Sequence, residues 1–557
     1  MEPEQLQPTD AKTLENLARQ RFSSGDANGA IDLLRRAVSV DPHSPHLRAN
    51  LGVALAAFGR LEEAIPVLQQ ALFLQPESPQ IKANLGKAYI DRGDALLSSK
   101  RYGEAIPWYE KALTLQPDHH WTLNNLAIAF QETNRPWEAL AICLRAVEVQ
   151  PGFVEAWYNL GRIYQDLDRQ EDAGAAFERA VLLRPDYAAA RSNLAMTLQA
   201  RGRFDEAIVE YRRTLKSDPK YNAAQINIGV ALRDAGRSGE AIAHYRNLPS
   251  DHPDLDEASW NLGITLLRLG ELQEGFAATE ARRRIPRLQC DRTFNRPQWQ
   301  GEDLAGRTIL LHYEQGFGDV IHFIRYVPLV HDRGGRVIVL CQPELKRLFQ
   351  NQLQIEQVIA EGESLPAFDV HCPLLTLPLI FRTTLESIPR NVPYLKTDPS
   401  LTAKWAARLG ALRPARTIGI AWAGNPRHAN DRQRSIPPEL LEPLVQVPGV
   451  RWVSLQKPRP ATLPNLNLLD FTDELSDFAD TAGLVSNLDL VISVDSAVAH
   501  LAGALGKPVS TLLPYIPDWR WMVDRTDSPW YPTMRIFRQP KFSDWTSVIT
   551  FLARSLQ

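Results

Sequence analysis

Two patterns of apolar and polar positions divide the chain. From about residue 11 to 287 small residues recur at a fixed spacing. One series reads Ala30, Ala64, Ala105, Ala139, Ala173, Ala207, Ala241 and Gly275; a second reads Ala18, Gly52, Gly86, Ala127, Gly161, Ala195, Gly229 and Gly263. Prolines keep the same phase at Pro42, Pro76, Pro117, Pro151, Pro185, Pro219 and Pro253, with gaps of 34, 41, 34, 34, 34 and 34 residues. A repeat of this length predicts a pair of antiparallel helices per unit. Small residues sit where the two helices approach, and proline closes the second helix because it lacks an N–H and clashes with the preceding turn. Eight units follow: 11–44, 45–78, 79–119, 120–153, 154–187, 188–221, 222–255 and 256–287. The third carries seven extra residues around Ala95 to Lys100, close to two helical turns, so a lengthened hairpin keeps its packing face. The last, with Gly275 in place of alanine and the run Arg282, Arg283, Arg284, reads as a degenerate cap.

After Leu288 the period is lost. Residues 288–306, rich in proline, glycine and polar side chains, read as a linker. Short β-rich apolar runs then alternate with helical stretches: TILLHYE (308–314), RVIVLC (336–341), TIGIAWA (417–423), VRWVSLQ (450–456), LDLVISV (488–494), PVSTLLP (508–514) and MRIFRQ (534–539). FDVHCPLLTLPLIF (368–381) continues the first group, and helices are expected at 437–446, 477–487, 496–505 and 542–556. Alternation of this kind predicts parallel sheets covered on both faces. The expected architecture is an α-solenoid followed by a two-lobed α/β domain, with lobes at 307–400 and 401–557.

The period of 34 and its small residues resemble the tetratricopeptide repeat. Asparagine also occupies the sixth position of every unit: Asn16, Asn50, Asn84, Asn125, Asn159, Asn193, Asn227 and Asn261. In that repeat family the position lies on the helix lining the concave groove. A row of amides there can bind the backbone of an extended polypeptide, since each both donates and accepts. The row resembles the asparagine ladder of protein O-GlcNAc transferases, which implies a protein acceptor. Asparagine is also a common occupant of this position without such a role.

The net charge of −3 supplies no field for nucleic acid or an anionic membrane. The four cysteines form no CxxC pair, which argues against a zinc site and a disulfide framework and fits a reducing compartment. MEPEQLQPTD lacks the apolar core of a secretory signal, and no apolar run is long enough to span a bilayer, so a cytoplasmic location is expected. The exposed solenoid face offers a surface for a homodimer.

Three stretches carry chemistry. In LDLVISVDSAVAHLAGALGKPV (488–509) a strand ends at Val494 and a helix opens after Asp495–Ser496. The free N–H groups at that opening suit a diphosphate; capping by Asp495 or Ser496 is the structural alternative. His500 follows one turn in. Asp495, Ser496, His500, Leu501 and Ala502 resemble the D-[ST]-x-x-x-H-L-A element of bacterial heptosyltransferases, glycosyltransferase family 9. The resemblance implies contact with the diphosphate and ribose of a nucleotide sugar, a co-substrate, with no separate cofactor. QGFGDVIHFIRYVPLV (315–330) resembles the same family's first-lobe element, a glycine turn (Gly316, Gly318) followed by an aspartate. By that match Asp319 stands for the catalytic base, with Glu314 and His322 as rival bases and helix capping as the structural alternative. In GIAWAGNPRHANDRQRSIPPELL (419–441) Gly424 opens a loop bearing Arg427, His428, Arg432 and Arg434. Cations there suit a leaving diphosphate. The family has Lys-x-Trp-Pro where this chain has Arg434-Ser435-Ile436-Pro437, so Arg434 stands for the phosphate-binding lysine, and the departure speaks against carrying over the family's ADP-heptose donor.

A fourth stretch, YIPDWRWMVDRTDSPWYPTMRIF (515–537), crowds Trp519, Trp521, Trp530 and Tyr531, suited equally to stacking on a ligand or to packing. Asp518 and Arg520 echo a family turn at the donor site. No metal-ligand spacing is present, in keeping with a GT-B type enzyme. Together the resemblances imply metal-independent, inverting transfer of a sugar to a protein, in a layout similar to bacterial flagellin glycosyltransferases. Two rival readings are a scaffold with a relic transferase domain and a transferase for a lipid-linked or polysaccharide acceptor.

Overall fold

The computed structural model describes residues 10–290, 292–350, 352, 354–410, 416–426, 428, 430–458, 466 and 468–557. It forms two compact units, Met1–Ala224 and Gln225–Gln557.

The first unit holds six helix hairpins, from Ala11–Ser23 with Ala27–Val40 to Ala188–Ala200 with Phe204–Ser217. Their second helices end at Val40, Leu74, Leu115, Val149, Leu183 and Ser217, each two residues before a proline of the series. The small residues do what the spacing predicts. Ala30, Ala64, Ala105, Ala139, Ala173 and Ala207 are fully buried. A Cβ added at Gly161 would stand 2.5 Å from the Phe177 ring.

In the third hairpin all seven extra residues fall in the first helix, Pro79–Ser98, which has 20 residues where its counterparts have 13. The lengthening moves the close contact. Gly93, not Gly86, lies under the partner helix, where a Cβ would stand 2.5 Å from the Tyr109 ring. Gly86 faces only the end of the Gln116 side chain. The assignment of Gly86 to the crossing series is therefore corrected to Gly93. The turn inside each hairpin has its own periodic requirement: Gly25, Gly59, Lys100, Asn134, Asp168 and Gly202 all have positive φ.

The second unit opens within the helix Asn222–Asp234 and includes two further hairpins. Helix Ser238–Arg246 has only nine residues, so Pro253 lies well beyond its end and does not close it. The helices Leu255–Leu269 and Leu272–Thr279 run into a short 3₁₀ turn, Glu280–Arg284. Of its basic run, Arg282 is 1% exposed, bonded to Glu280 and Glu314, while Arg284 and Arg287 pair with Asp256 and Glu257.

Two parallel sheets follow. The first comprises β1 (Thr308–His312), β2 (Arg336–Cys341), β3 (Gln357–Ala360) and β4 (Val370–Pro373), in the order β3-β2-β1-β4. The second comprises β5 (Arg416–Ala421), β6 (Val450–Ser454), β7 (Leu468–Asp470), β8 (Leu490–Val494), β9 (Val509–Leu513) and β10 (Met534–Arg538), in the order β10-β9-β8-β5-β6-β7. The short strands β3 and β7 were not expected from the sequence. The central strands β1, β8 and β9 are buried along their length, as a sheet covered on both faces requires. Strand order reverses between β1 and β4 and between β5 and β8. At such switch points the loops leaving neighbouring strands diverge, opening a crevice at the carboxyl ends of the strands.

Candidate functional site

The predicted residues emerge at those crevices. After β1 the chain turns through Gly316 into the helix Phe317–Phe323, with Asp319 in its first turn. After β8 it turns through Asp495 into the helix Ala497–Ala504, with Ser496 as N-cap. The two helix openings meet: a Cβ on Gly318 would stand 3.0 Å from His500 Cδ2 and 3.7 Å from the Ala497 Cα. Glycine at 318 thus permits the approach of the two lobes.

Asp319 serves both lobes. One carboxylate oxygen accepts the Gly316 N–H at 3.0 Å, so the expected capping is realised. The other oxygen pairs with Arg520 from the far lobe. Burial raises the Asp319 carboxyl above its usual range, and the Arg520 charge opposes the rise. Arg520 is 8% exposed and also holds Asp518 at 2.9 Å. It lies over the ring of Trp519, 4.4 Å from its centroid, and its Nε has no hydrogen-bond partner.

The rival bases lie elsewhere. The Glu314 side chain is fully buried and held by Arg282 at 2.9 and 3.2 Å. His322 is fully buried with its Nδ1 on the Tyr531 hydroxyl at 3.1 Å, and burial drives its pKa far down. Of the three, Asp319 alone keeps side-chain exposure, 18%, where Glu314 and His322 have none.

Around the opposite helix, Ser496 Oγ accepts the Val498 N–H at 3.3 Å and lies 2.9 Å from Ser493 Oγ. His500 is 5% exposed, stacks on Trp521 and keeps Nε2 4.0 Å from an Asp495 oxygen. Burial and the neighbouring Asp518 carboxylate push the Asp495 pKa up to about 6. Burial, with the Arg520 and Arg325 charges, holds His500 neutral.

The loop after β5 divides its cations. Arg434 packs against Gly424, where a side chain would collide with its guanidinium, and pairs with Asp431 at 3.1 Å. Its charge bears on Asp495. His428 is near enough to Asp319 and Asp518 to interact with both. Arg432 is exposed to solvent, and Arg427 lies outside the described residues. The four aromatic residues pack rather than line an opening: Trp519 is 7% exposed, and Trp521, Trp530 and Tyr531 are fully buried in the core common to both sheets.

The sequence marked Arg520 only as part of a turn near the donor site and Tyr531 only as an aromatic suited to stacking or packing; neither was placed beside Asp319 or His500. The signals were the Asp518-x-Arg520 pair just after a strand and the aromatic cluster that includes Tyr531. A cavity of about 800 Å³ lies apart from the crevice, lined by Arg283, Gln298, Arg333, Phe381 and Arg382 among others. None of the predicted residues borders it, so the crevice and not this cavity is the candidate site. Among the described residues no group of three His, Cys, Asp or Glu is placed to hold a metal ion, and no helix is long and apolar enough to cross a membrane.

The asparagines follow a pattern of their own. In the first unit Asn50 donates to Glu15 at 3.0 Å, Asn125 to Asp94 at 2.9 Å, Asn159 to Asn124 at 2.8 Å and Asn193 to Tyr158 at 3.4 Å, each in the preceding hairpin. Asn84 instead accepts from Gln80 at 3.1 Å, and Asn16 is exposed. In the second unit Asn261 donates to the Glu257 carbonyl at 2.9 Å, and Asn227 is half-buried. Four amides thus spend a donor on stacking one hairpin on the next, and the Asn125 oxygen also accepts from Asn124 at 3.3 Å.

Tetratricopeptide repeat models match residues 21–88, 84–151, 153–220 and 192–255. A glycosyltransferase family 9 (heptosyltransferase) model matches 475–540, the segment holding Asp495, Ser496, His500 and Arg520. Protein FlbA of Caulobacter vibrioides is 28% identical over 318 residues, 52% of this chain. The match covers 53% of FlbA, so this chain spans about half the length of that relative. Among solved structures, one of MamA is 28% identical over 29% of this chain and 88% of its own, with a TM-score of 0.28. YrrB, described as a TPR protein with an unusual peptide-binding site, is 20% identical over 34% of this chain and 95% of its own, at 0.29. At these TM-scores neither likeness bears on what the repeats bind. The chain combines tetratricopeptide repeats with a glycosyltransferase family 9-like domain, which points to glycosyl transfer.

Proposed function

We propose that the protein transfers a sugar from a nucleotide-sugar donor to a hydroxyl of a protein captured by the repeats, through a metal-independent, inverting reaction in a GT-B type domain. In this reading residues 11–287 capture the acceptor, 307–400 supply the base and 401–557 hold the donor. The observation that carries it is the meeting of Asp319 with Arg520 and with the opening of the helix after Asp495–Ser496.

The acceptor oxygen attacks the anomeric carbon as the bond from that carbon to the diphosphate oxygen breaks. The hydroxyl proton passes to the Asp319 carboxylate, which burial makes more basic than an exposed aspartate. Charge developing on the leaving diphosphate is met by Arg434 and by the positive end of the helix dipole at Ala497. Arg520 begins paired with Asp319 and Asp518. An incoming diphosphate competes for that guanidinium, so donor binding loosens the ion pair on the base. The acceptor is a polypeptide in the concave groove, bound along the asparagine row; a flagellin serine or threonine is one such acceptor. The repeat fold, used widely for protein binding, supports a protein partner.

The test is to incubate the full chain with a panel of sugar nucleotides and follow release of free nucleotide. Release with at least one donor, lost in Asp319→Asn, is expected. A folded protein that releases nucleotide from none of them would sink the proposal and favour the scaffold reading.

A further inference from the structure

The Tyr531 hydroxyl is a junction between the lobes. It lies 3.1 Å from His322 Nδ1 on the first lobe, 2.9 Å from His500 Nδ1 on the second and 3.3 Å from the Tyr394 hydroxyl. Tyr531 and His322 are fully buried, and His500 nearly so. Water does not intervene at these distances, so the protons must be divided among the side chains themselves.

The division has few solutions. Tyr394 donates its one proton to the Ile321 carbonyl at 2.9 Å and accepts from Arg325 at 3.0 Å. It therefore has no proton for Tyr531. Tyr531 has one proton and two lone pairs. If it donates to His322, that ring carries its proton on Nε2, which is buried without a partner. A buried orphan N–H is costly. His500 would then carry its proton on Nδ1 and turn a bare Nε2 lone pair toward the Asp495 carboxylate, which is repulsive. Donation to Tyr394 leaves His500 in the same unfavourable state. If Tyr531 donates to His500, the shortest of its three contacts, His322 donates Nδ1–H back to Tyr531 and buries only a lone pair. His500 then carries its proton on Nε2, facing Asp495. Neither histidine is charged, since burial and the Arg325 and Arg520 charges keep both neutral.

We infer that Tyr531 is a positioning residue that fixes His500 as the Nε2–H tautomer, so that a neutral donor stands permanently toward Asp495 at the mouth of the Ala497–Ala504 helix. A proton there turns the positive end of a neutral N–H dipole toward the Asp495 carboxylate 4.0 Å away, which favours the carboxylate electrostatically for the hydroxyls of a sugar nucleotide and adds no net charge to the site. The inference rests on the proposed donor site only for that last consequence; the tautomer itself does not.

The test has two readouts on the full chain. Ring nitrogen-15 spectra of histidine-labelled protein, with His500 assigned by its loss in His500→Gln, report the tautomer directly. His500 is expected as Nε2–H in the wild type and in Tyr394→Phe, and as Nδ1–H or a mixture in Tyr531→Phe. The second readout is donor kinetics. Tyr531→Phe is expected to raise the donor KM by about tenfold, as for loss of one aligned hydrogen bond, with a smaller change in kcat. Wild-type His500 found as Nδ1–H, or a tautomer unmoved in Tyr531→Phe, overturns the inference, and the wild-type measurement stands even if that variant folds poorly. Failure of any nucleotide to bind while the expected tautomer is seen would instead count against the donor site alone.

Discussion

Asp495→Asn should make the protein more stable while disabling its site. The Asp495 side chain is 14% exposed, and its pKa is pushed from 3.8 up to about 6, first by burial and then by Asp518. The folded state therefore binds this proton more tightly than the unfolded chain. Below the unfolded pKa both states are protonated and the residue costs nothing. Between about pH 4 and pH 6 the unfolded chain gives up its proton first, so stability falls as pH rises. Above that range the full penalty applies, about 3 kcal/mol at 1.36 kcal/mol per pKa unit. Asparagine keeps the shape and an oxygen acceptor for His500 without the charge. Thermal and urea unfolding of wild type and variant should show a gain of up to about 3 kcal/mol at about pH 7.5, shrinking to near zero at about pH 4. Donor binding should be lost in the same variant. Equal or lower stability at the higher pH, or a gain that does not change with pH, would refute the reasoning.

Other substitutions probe separate parts of the account. Asp319→Asn should lower the rate of transfer by about 10²-fold or more, the usual yield of a positioned base, while nucleotide binding measured by calorimetry changes little. Gly93→Ala forces a methyl group into the Tyr109 ring and should cost about 1–3 kcal/mol in urea unfolding. Gly86→Ala, which displaces only the flexible end of Gln116, should cost clearly less; the reverse order would restore Gly86 to the crossing. Lys100→Gly should stabilise by about 1 kcal/mol, because Lys100 holds φ of 59° in a region that penalises a side chain.

The solenoid was legible because its requirement is local and repeated. Wherever two helices cross closely, a small residue returns every 34 positions, and a proline follows each full-length second helix. Legibility failed where the local rule was displaced. The insertion could be placed in the third hairpin but not assigned to one helix, so the shift from Gly86 to Gly93 was hidden. The positive-φ turn escaped because lysine, asparagine and aspartate take the glycine's place at 100, 134 and 168. In the α/β part, long apolar runs announced most strands, whereas β3 and β7, at four and three residues, are too short to show a pattern. The site was half legible. Glycine turns and helix openings are short-range features, and they marked Asp319, Asp495 and Ser496. Partners are not short-range: Arg520 is 201 positions from Asp319, and His322 is 209 from Tyr531. The withdrawal of Glu314 into an ion pair with Arg282 depends on packing between the last repeat and the first sheet, which no motif records.

The central claim is that the crevice at the end of β5 and β8 holds the diphosphate of a sugar nucleotide. Calorimetric titration of the full chain with nucleoside diphosphates tests it most directly, with Arg434→Ala as the paired variant. One nucleotide should bind at a single site, with affinity falling as salt rises and at least about tenfold weaker in the variant, as expected for a lost charge-assisted contact. No binding by any nucleoside diphosphate, or binding indifferent to Arg434→Ala, would contradict the claim.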